Sequence, residues 1–142
     1  MLGKLSVVVA DDSDAFRQTI CTYLSMEPEI QVVGKASNGY EVLECVRRYS
    51  PDILLLDLQM PGLDGKEVLR QISIHSNTRV IILSGYTNDD NYQTLKNNDL
   101  VCGWFTKGSS PLTLVDQILK ASGLMGGSGP GSRGFSHNYY GP

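Results

Sequence analysis

Short runs of aliphatic residues alternate along the chain with segments in which apolar residues recur at helical spacing. The aliphatic runs predict five strands, at residues 5–10, 30–36, 53–56, 79–84 and 101–105. The segments that follow them predict five helices, at residues 11–26, 40–49, 65–74, 89–98 and from 110 onward. Asn38, with Glu41 three residues on, has the capping-box pattern of a helix N-terminus, and Pro111 suits a first helical position.

The alternation of strands and helices indicates an α/β fold. Five strand–helix units within residues 4–122 predict a parallel sheet that carries helices on both faces. Strands that are buried on both sides read as unbroken aliphatic runs, as these do. The pattern leaves open whether the sheet is singly or doubly wound, and in which order its strands lie.

The composition fits one globular domain that is large enough to bury a hydrophobic core, with 142 residues of which 41% are hydrophobic and 19% charged. A net charge of −3 without a run of basic residues argues against binding of nucleic acid or an anionic membrane by this segment itself. The apolar stretches are too short to span a bilayer, and the N-terminus has no signal-peptide pattern.

Two further features bear on organisation and location. We place the folded domain at residues 1–122 and expect the glycine-rich residues 123–142 to be a flexible linker or a remnant of cloning. The three cysteines, Cys21, Cys45 and Cys102, form no CxxC pair and have no histidine nearby. We expect them to be free thiols in a reducing cytoplasm rather than disulfide partners or zinc ligands.

Polar side chains stand at the carboxyl ends of four of the five predicted strands. Asp11 and Asp12 follow the first strand, Asp57 follows the third, Ser84 ends the fourth, and Lys107 comes just after the fifth. Ligand sites in open α/β sheets lie beyond the carboxyl ends of the strands. These residues are therefore expected to converge at one edge of the sheet.

Such a cluster of acids has a specific chemistry. Two unit charges about 4 Å apart at an effective dielectric constant near 20 repel by roughly 4 kcal/mol. A hard divalent cation would remove this penalty, and oxygen ligands without cysteine or histidine favour Mg²⁺ over zinc. A carboxylate can attack phosphorus to form an acyl phosphate, and the turn after Asp57 is expected to expose it at the rim. The metal and Lys107 would neutralise the charge of a transferring phosphoryl group.

Each of these residues also has an ordinary structural interpretation. Asp11 and Asp12 could cap a helix and complement its dipole, and Asp57 could belong to the turn before Pro61. Lys107, taken alone, is most simply a solvent-exposed lysine. The combination of all four, rather than any one of them, favours a phosphoryl-acceptor site.

The motifs that carry these residues resemble the receiver domain of two-component response regulators. They are VVVADDS, LLLDLQMPGLDG, ILSGY and GWFTKG, in the order and spacing of that family, and the resemblance covers residues 4–122. It implies a flavodoxin-like three-layer sandwich, with five helices around a five-stranded parallel sheet in the order 2-1-3-4-5. The string EPEIQVVGKASNGYEVLE is similar to the NarL/LuxR subclass, whose receivers are often joined to a helix-turn-helix DNA-binding domain.

The resemblance implies a phosphoacceptor and a set of magnesium ligands. Asp57 would accept the phosphoryl group and share in binding Mg²⁺. Asp12 would be a direct ligand, Asp11 would mainly order metal-bound water, and the backbone carbonyl of Gln59 would complete the protein's share of ligands.

It also implies three residues that respond to the phosphoryl group. Lys107 would pair with it, and Ser84 would donate a hydrogen bond to it and move inward. Trp104 occupies the position of the switch aromatic, which is expected to rotate inward as Ser84 moves. This tryptophan departs from the usual Tyr or Phe and is larger.

The function that the resemblance implies is a cytoplasmic signalling switch that takes its phosphoryl group from a sensor histidine kinase. Phosphorylation would change the surface formed by helix four, strand five and helix five, allow homodimerisation, and control an output such as transcription. A receiver of this kind is not an enzyme with external turnover. Two alternatives are a pseudo-receiver that only binds other proteins and a metal-dependent aspartyl-phosphate phosphatase. Against the phosphatase, Gln59 stands where a second acid is needed.

Overall fold

The computed structural model describes residues 3–85 and 90–123, and of residues 73–75 and 90–92 it describes the backbone alone. Apart from Gly123, the predicted glycine-rich tail lies outside the described residues. The strands are β1 Leu5–Ala10, β2 Ile30–Ala36, β3 Ile53–Asp57, β4 Arg79–Ser84 and β5 Val101–Thr106. The helices are α1 Asp14–Ser25, α2 Gly39–Tyr49, α3 Gly65–His75, α4 Asp90–Leu95 and α5 Pro111–Ser122.

The five strands form one sheet in the order β2-β1-β3-β4-β5, and every neighbouring pair is parallel. This confirms the flavodoxin-like architecture. The central strand β3 is buried along its whole length. Its side chains alternate between the two faces of the sheet, so Ile53 and Leu55 pack on one side and Leu54 and Leu56 on the other.

Two hydrophobic clusters make the three layers of the sandwich. One cluster joins α1 and α5 to the sheet through residues such as Ile20, Leu114 and Ile118. The other joins α2 and α3 to the opposite face, and Leu95 of α4 belongs to it as well. Fully burying one such aliphatic side chain contributes about 1.5–3 kcal/mol to stability. Together the two clusters therefore stabilise the sheet whose edge carries the polar residues.

Side-chain caps fix where the helices begin. The Asn38 side chain accepts a hydrogen bond from Glu41 N–H. The Glu41 carboxylate accepts from Ser37 N–H and hydroxyl rather than from Asn38, because Ser37 offers two donors to one oxygen. Ser110 caps α5, which has Pro111 in its first turn as predicted.

Two helices are shorter than the sequence predicts. The first begins at Asp14 rather than Asp11, because Ser13 is its N-cap and the residues before it form a loop. The fourth ends at Leu95 rather than residue 98, since Asn98 turns the chain toward β5 by accepting a hydrogen bond from Leu100 N–H. None of the helices in the described part of the chain has the length and apolar composition needed to cross a bilayer.

Candidate functional site

The ends of two neighbouring strands bring the predicted acids together at one edge of the sheet. Asp11 directly follows β1, Asp57 is the last residue of β3, and the two strands are adjacent and parallel. One carboxylate oxygen from each of Asp11, Asp12 and Asp57 can be chosen so that all three atoms lie within 4.8 Å of one another. Residues at the carboxyl ends of neighbouring parallel strands meet in this way because the strands run in the same direction.

The acids differ in their access to solvent. Asp11 is fully buried and Asp57 is 4% exposed, whereas Asp12 is exposed. The expectation that the turn places Asp57 at an exposed rim is therefore wrong in degree, because β3 extends through Asp57 and carries its carboxylate inward. A buried carboxylate requires compensation by hydrogen bonds or an opposite charge.

Lys107 supplies that opposite charge. Its Nζ lies 2.6 Å from Asp11 Oδ2 and donates a hydrogen bond to Asp57 Oδ2 at 3.1 Å. The shorter contact is an ion pair rather than an aligned hydrogen bond, because Asp11 Oδ2 has no hydrogen-bond partner of acceptable geometry among the described residues. Burial opposes the charged form of Lys107, but its contacts with Asp11 and Asp57 outweigh this and raise its pKa above the usual 10.5.

The two buried carboxylates share one arrangement. The second oxygen of Asp11 accepts a hydrogen bond from Ser13 N–H at 2.8 Å, and that of Asp57 accepts from Gln59 N–H at 2.9 Å. In each case the donor lies two residues further along the chain, so a turn of backbone fixes the carboxylate. The Gln59 residue is exposed, but its backbone N–H is hydrogen-bonded directly to Asp57.

Two residues of α1 contribute to the site although the sequence did not mark them. Arg17 Nη1 donates a hydrogen bond to the Asp11 carbonyl oxygen at 2.6 Å, and the same guanidinium pairs with Asp14. The Lys107 ammonium lies 4.9 Å from the centroid of the Phe16 ring, within range of a cation–π interaction. The partners of Arg17 are local in sequence, whereas the contact of Phe16 with Lys107 is set by tertiary packing.

Ser84 lies on β4, which pairs with β3, and Trp104 lies on β5, which pairs with β4. Ser84 is 4% exposed at the end of β4, and its carbonyl oxygen accepts a hydrogen bond from Lys107 N–H at 2.6 Å. Trp104 is 2% exposed and packs in the same cluster as Leu56 and Ile82. In this structure the aromatic side chain therefore points into the protein, and its predicted movement stays a prediction.

The donor set fits a hard divalent cation. The cluster offers carboxylate oxygens from three residues, and Asp11 Oδ2 is buried with no aligned hydrogen-bond donor among the described residues. Oxygen ligands of this kind suit Mg²⁺, which is usually bound by one or two carboxylates together with phosphate oxygens and water. The three carboxylates thus form a group that could hold such a cation at the carboxyl ends of β1 and β3.

Comparison with known proteins agrees with this geometry. The profile of the response regulator receiver domain matches residues 7–119. A protein-glutamate methylesterase/protein-glutamine glutaminase of Syntrophomonas wolfei is 40% identical over 122 residues, which cover 86% of this chain and 31% of that protein. The transcriptional regulatory protein DegU of Brevibacillus brevis is 31% identical over 117 residues, which cover 82% of this chain and 49% of that protein.

The fold is also found among solved structures. The signal receiver domain of NarL from Mycobacterium tuberculosis superimposes with a TM-score of 0.77 at 33% sequence identity, covering 86% of this chain and 98% of that one. The match thus includes nearly the whole of that solved receiver domain. It spans about a third of the methylesterase and about half of DegU.

Proposed function

The chain belongs to the response regulator receiver domain family, and we propose that it is a switch that accepts a phosphoryl group on Asp57 from a sensor histidine kinase. The observation that carries the proposal is the position of Lys107, whose ammonium lies between the buried carboxylates of Asp11 and Asp57. An acceptor held beside a fixed positive charge and further acids is suited to phosphoryl transfer, because that reaction depends on positioning and electrostatics.

In the proposed reaction an oxygen of Asp57 forms a bond to phosphorus while the bond between phosphorus and the kinase histidine nitrogen breaks. The nitrogen keeps the electron pair of the broken bond. Gln59 N–H holds one oxygen of Asp57, which leaves the other oxygen to face the donor. Lys107 is protonated at neutral pH, since its pKa lies above the ordinary 10.5, and it would exchange its contact with Asp57 for one with the phosphoryl oxygens.

We propose that the site binds Mg²⁺ for this reaction. Asp11, Asp12, Asp57 and the backbone carbonyl of Gln59 would hold the ion, with Asp11 acting mainly through ordered water. When bound, Mg²⁺ supplies positive charge to the phosphoryl oxygens and removes the repulsion between the acids. The support for this assignment is the close approach of three carboxylate oxygens and the lack of an aligned donor to Asp11 Oδ2.

The response to phosphorylation would pass through β4 and β5. Ser84 ends the strand beside β3, and its carbonyl is already bonded to the backbone of Lys107. A move of the Ser84 hydroxyl toward a new phosphoryl oxygen would alter the packing around Trp104. We propose that the surface of α4, β5 and α5 changes as a result and that this surface, through homodimerisation or another contact, transmits the signal.

The process that the receiver controls is proposed from its relatives, because the chain spans only a fraction of their length. Likeness to the transcriptional regulatory protein DegU supports control of transcription by a longer protein, which we place in the cytoplasm. The 40% identity to a methylesterase supports a second candidate, in which the receiver controls an enzyme domain. In both cases this segment itself turns over no external substrate, and a DNA-binding or catalytic domain would lie elsewhere in the whole protein.

Intact mass spectrometry tests the acceptor. After incubation with Mg²⁺ and acetyl phosphate, the wild-type protein should carry a single acid-stable, base-labile phosphoryl adduct. Asp57→Asn should carry none. Asp64→Asn is a matched control on the same loop, since asparagine caps a helix as well as aspartate does at the start of α3, and it should keep the adduct.

Other outcomes would favour the alternatives. A wild-type protein without an adduct would favour the pseudo-receiver. Continuous hydrolysis of added phosphate esters would favour the aspartyl-phosphate phosphatase, because a receiver releases phosphate only from its own Asp57.

A further inference from the structure

Helix α2 begins in direct contact with the loop that joins β3 to α3, residues 58–64. Gly39, its first residue, is buried and donates a backbone hydrogen bond to the Pro61 carbonyl oxygen at 3.3 Å. A β-carbon added to Gly39 would lie 2.4 Å from the Leu63 carbonyl oxygen and 2.7 Å from Leu63 Cβ. Because the first of these atoms is backbone, no change of side-chain rotamer can relieve the overlap.

The same loop is held at two more points. A β-carbon at Gly65 would lie 3.0 Å from Leu58 Cα, so the start of α3 also touches the loop backbone. The Tyr40 ring lies beside Gly62, where the backbone has a φ of +84° that favours glycine. The 58–64 loop is therefore clamped between the first turns of α2 and α3.

This loop carries a part of the site that is made of backbone. Gln59 N–H fixes one oxygen of Asp57, and the carbonyl of Gln59 is the proposed fourth magnesium ligand. A side chain can reorient to keep a ligand in place, but a backbone carbonyl moves with its loop. Whatever sets the position of the loop therefore sets the position of that carbonyl.

We propose that Gly39 is a positioning residue for the magnesium site, since its missing side chain lets α2 hold the 58–64 loop in the geometry that Gln59 needs. This inference rests on the proposed function. Alanine is otherwise the better residue in a helix, so Gly39→Ala would favour α2 by propensity while it displaces the loop. The helix propensity of α2 bears on stability and the displacement of the loop bears on Mg²⁺ affinity. The two effects can therefore be measured separately, which makes the substitution informative.

Magnesium binding to the wild-type protein and its variants can be measured by titration calorimetry. Gly39→Ala should raise the Mg²⁺ dissociation constant on the order of tenfold, as loss of outer contacts at metal sites commonly does. Gly34→Ala is the matched control, because a β-carbon added at this position of β2 would also meet α2, but only through side chains, Cys45 Sγ at 3.1 Å and the Tyr49 ring. It should leave the dissociation constant unchanged.

Hydrogen exchange in the metal-free protein gives a second readout. In Gly39→Ala the amide of Gln59 should exchange faster than in the wild type, because its bond to Asp57 is disturbed. The amide of Ser13 makes the equivalent bond to Asp11 from another loop, and its exchange should not change. If Gly39→Ala does not fold, Tyr40→Ala removes a contact to the loop from a side chain that is 65% exposed, and it should weaken Mg²⁺ binding in the same direction.

The outcomes separate the two proposals. A Gly39→Ala protein that binds Mg²⁺ as the wild type does, or an equal loss in Gly34→Ala, would overturn the positioning role. Unchanged exchange at Gln59, or unchanged Mg²⁺ binding by Tyr40→Ala where Gly39→Ala cannot be made, would overturn it too. A wild-type protein that binds no Mg²⁺ would instead overturn the proposed function.

Discussion

The ammonium of Lys107 lies 2.6 Å from Asp11 Oδ2, although 96 residues of sequence separate the two side chains. The same nitrogen contacts Asp57 Oδ2 at 3.1 Å, so one cation joins the ends of β1 and β3. The positive charge of Lys107 offsets the repulsion between the two buried carboxylates. Lysine and a divalent metal would satisfy the same charge requirement, and the two are therefore expected to be coupled.

Substitution of the lysine tests this coupling. Lys107→Met should lower the free energy of unfolding by about 3 kcal/mol at neutral pH without metal, because it leaves two buried acids without their cation. Mg²⁺ should restore more stability to the variant than it adds to the wild type. Urea unfolding with and without Mg²⁺ measures both effects. Lys66→Met, at an exposed position in α3, is the control and should change neither.

Alkaline pH should weaken the same interaction. Because the pKa of Lys107 is raised in the folded state, its stabilising effect is complete below the ordinary value of 10.5. It is lost as the pH rises through the higher folded value. The difference in unfolding free energy between the wild type and Lys107→Met should therefore shrink above pH 10.5. A difference that stays constant between pH 8 and pH 11.5 would show that the lysine charge does not carry the effect.

The sheet could be predicted because burial on both faces forces each strand to be an aliphatic run. The same reasoning placed Asp11, Asp57 and Lys107 at one edge, since parallel strands align their carboxyl ends. It did not show that Asp57 is almost enclosed, because the boundary of β3 was placed one residue too early. A period-based prediction locates the middle of an element better than its end.

Individual side-chain contacts, both local and distant, were beyond the sequence pattern. Phe16 looks like an ordinary residue of an amphipathic helix, and only the packing of α1 beside the site gives it Lys107 as a partner. Arg17 finds its partners locally, at the Asp11 carbonyl and Asp14, but helical spacing does not single it out for this role. The early end of α4 likewise depends on one side chain, Asn98, that bonds to the backbone beyond it. Sequence spacing alone does not determine which of several nearby donors an oxygen will choose.

Arg17 is expected to support the site through the backbone. Its guanidinium donates to the Asp11 carbonyl at 2.6 Å and pairs with Asp14, so it fixes the loop that carries the acidic pair. Arg17→Ala should raise the Mg²⁺ dissociation constant by about tenfold. Arg47→Ala removes a similar pair with Glu44 that is exposed on α2, and it should have no effect. Equal Mg²⁺ affinities for the two variants in calorimetry would remove Arg17 from the site.

The movement of Trp104 can be followed directly because it is the only tryptophan and is 2% exposed. Trp104 pairs with Ile82 of β4, two residues before Ser84, so an inward shift of the Ser84 hydroxyl toward a phosphoryl group should change the surroundings of the indole. Beryllofluoride with Mg²⁺, a mimic of the phosphoryl group, should therefore shift or quench the emission of the wild-type protein. Ser84→Ala should reduce the change, since the hydroxyl that responds is missing, and Asp57→Asn should abolish it. A flat titration in a protein that calorimetry shows to bind Mg²⁺ would make Trp104 a static packing residue and would leave the phosphoacceptor role of Asp57 untouched.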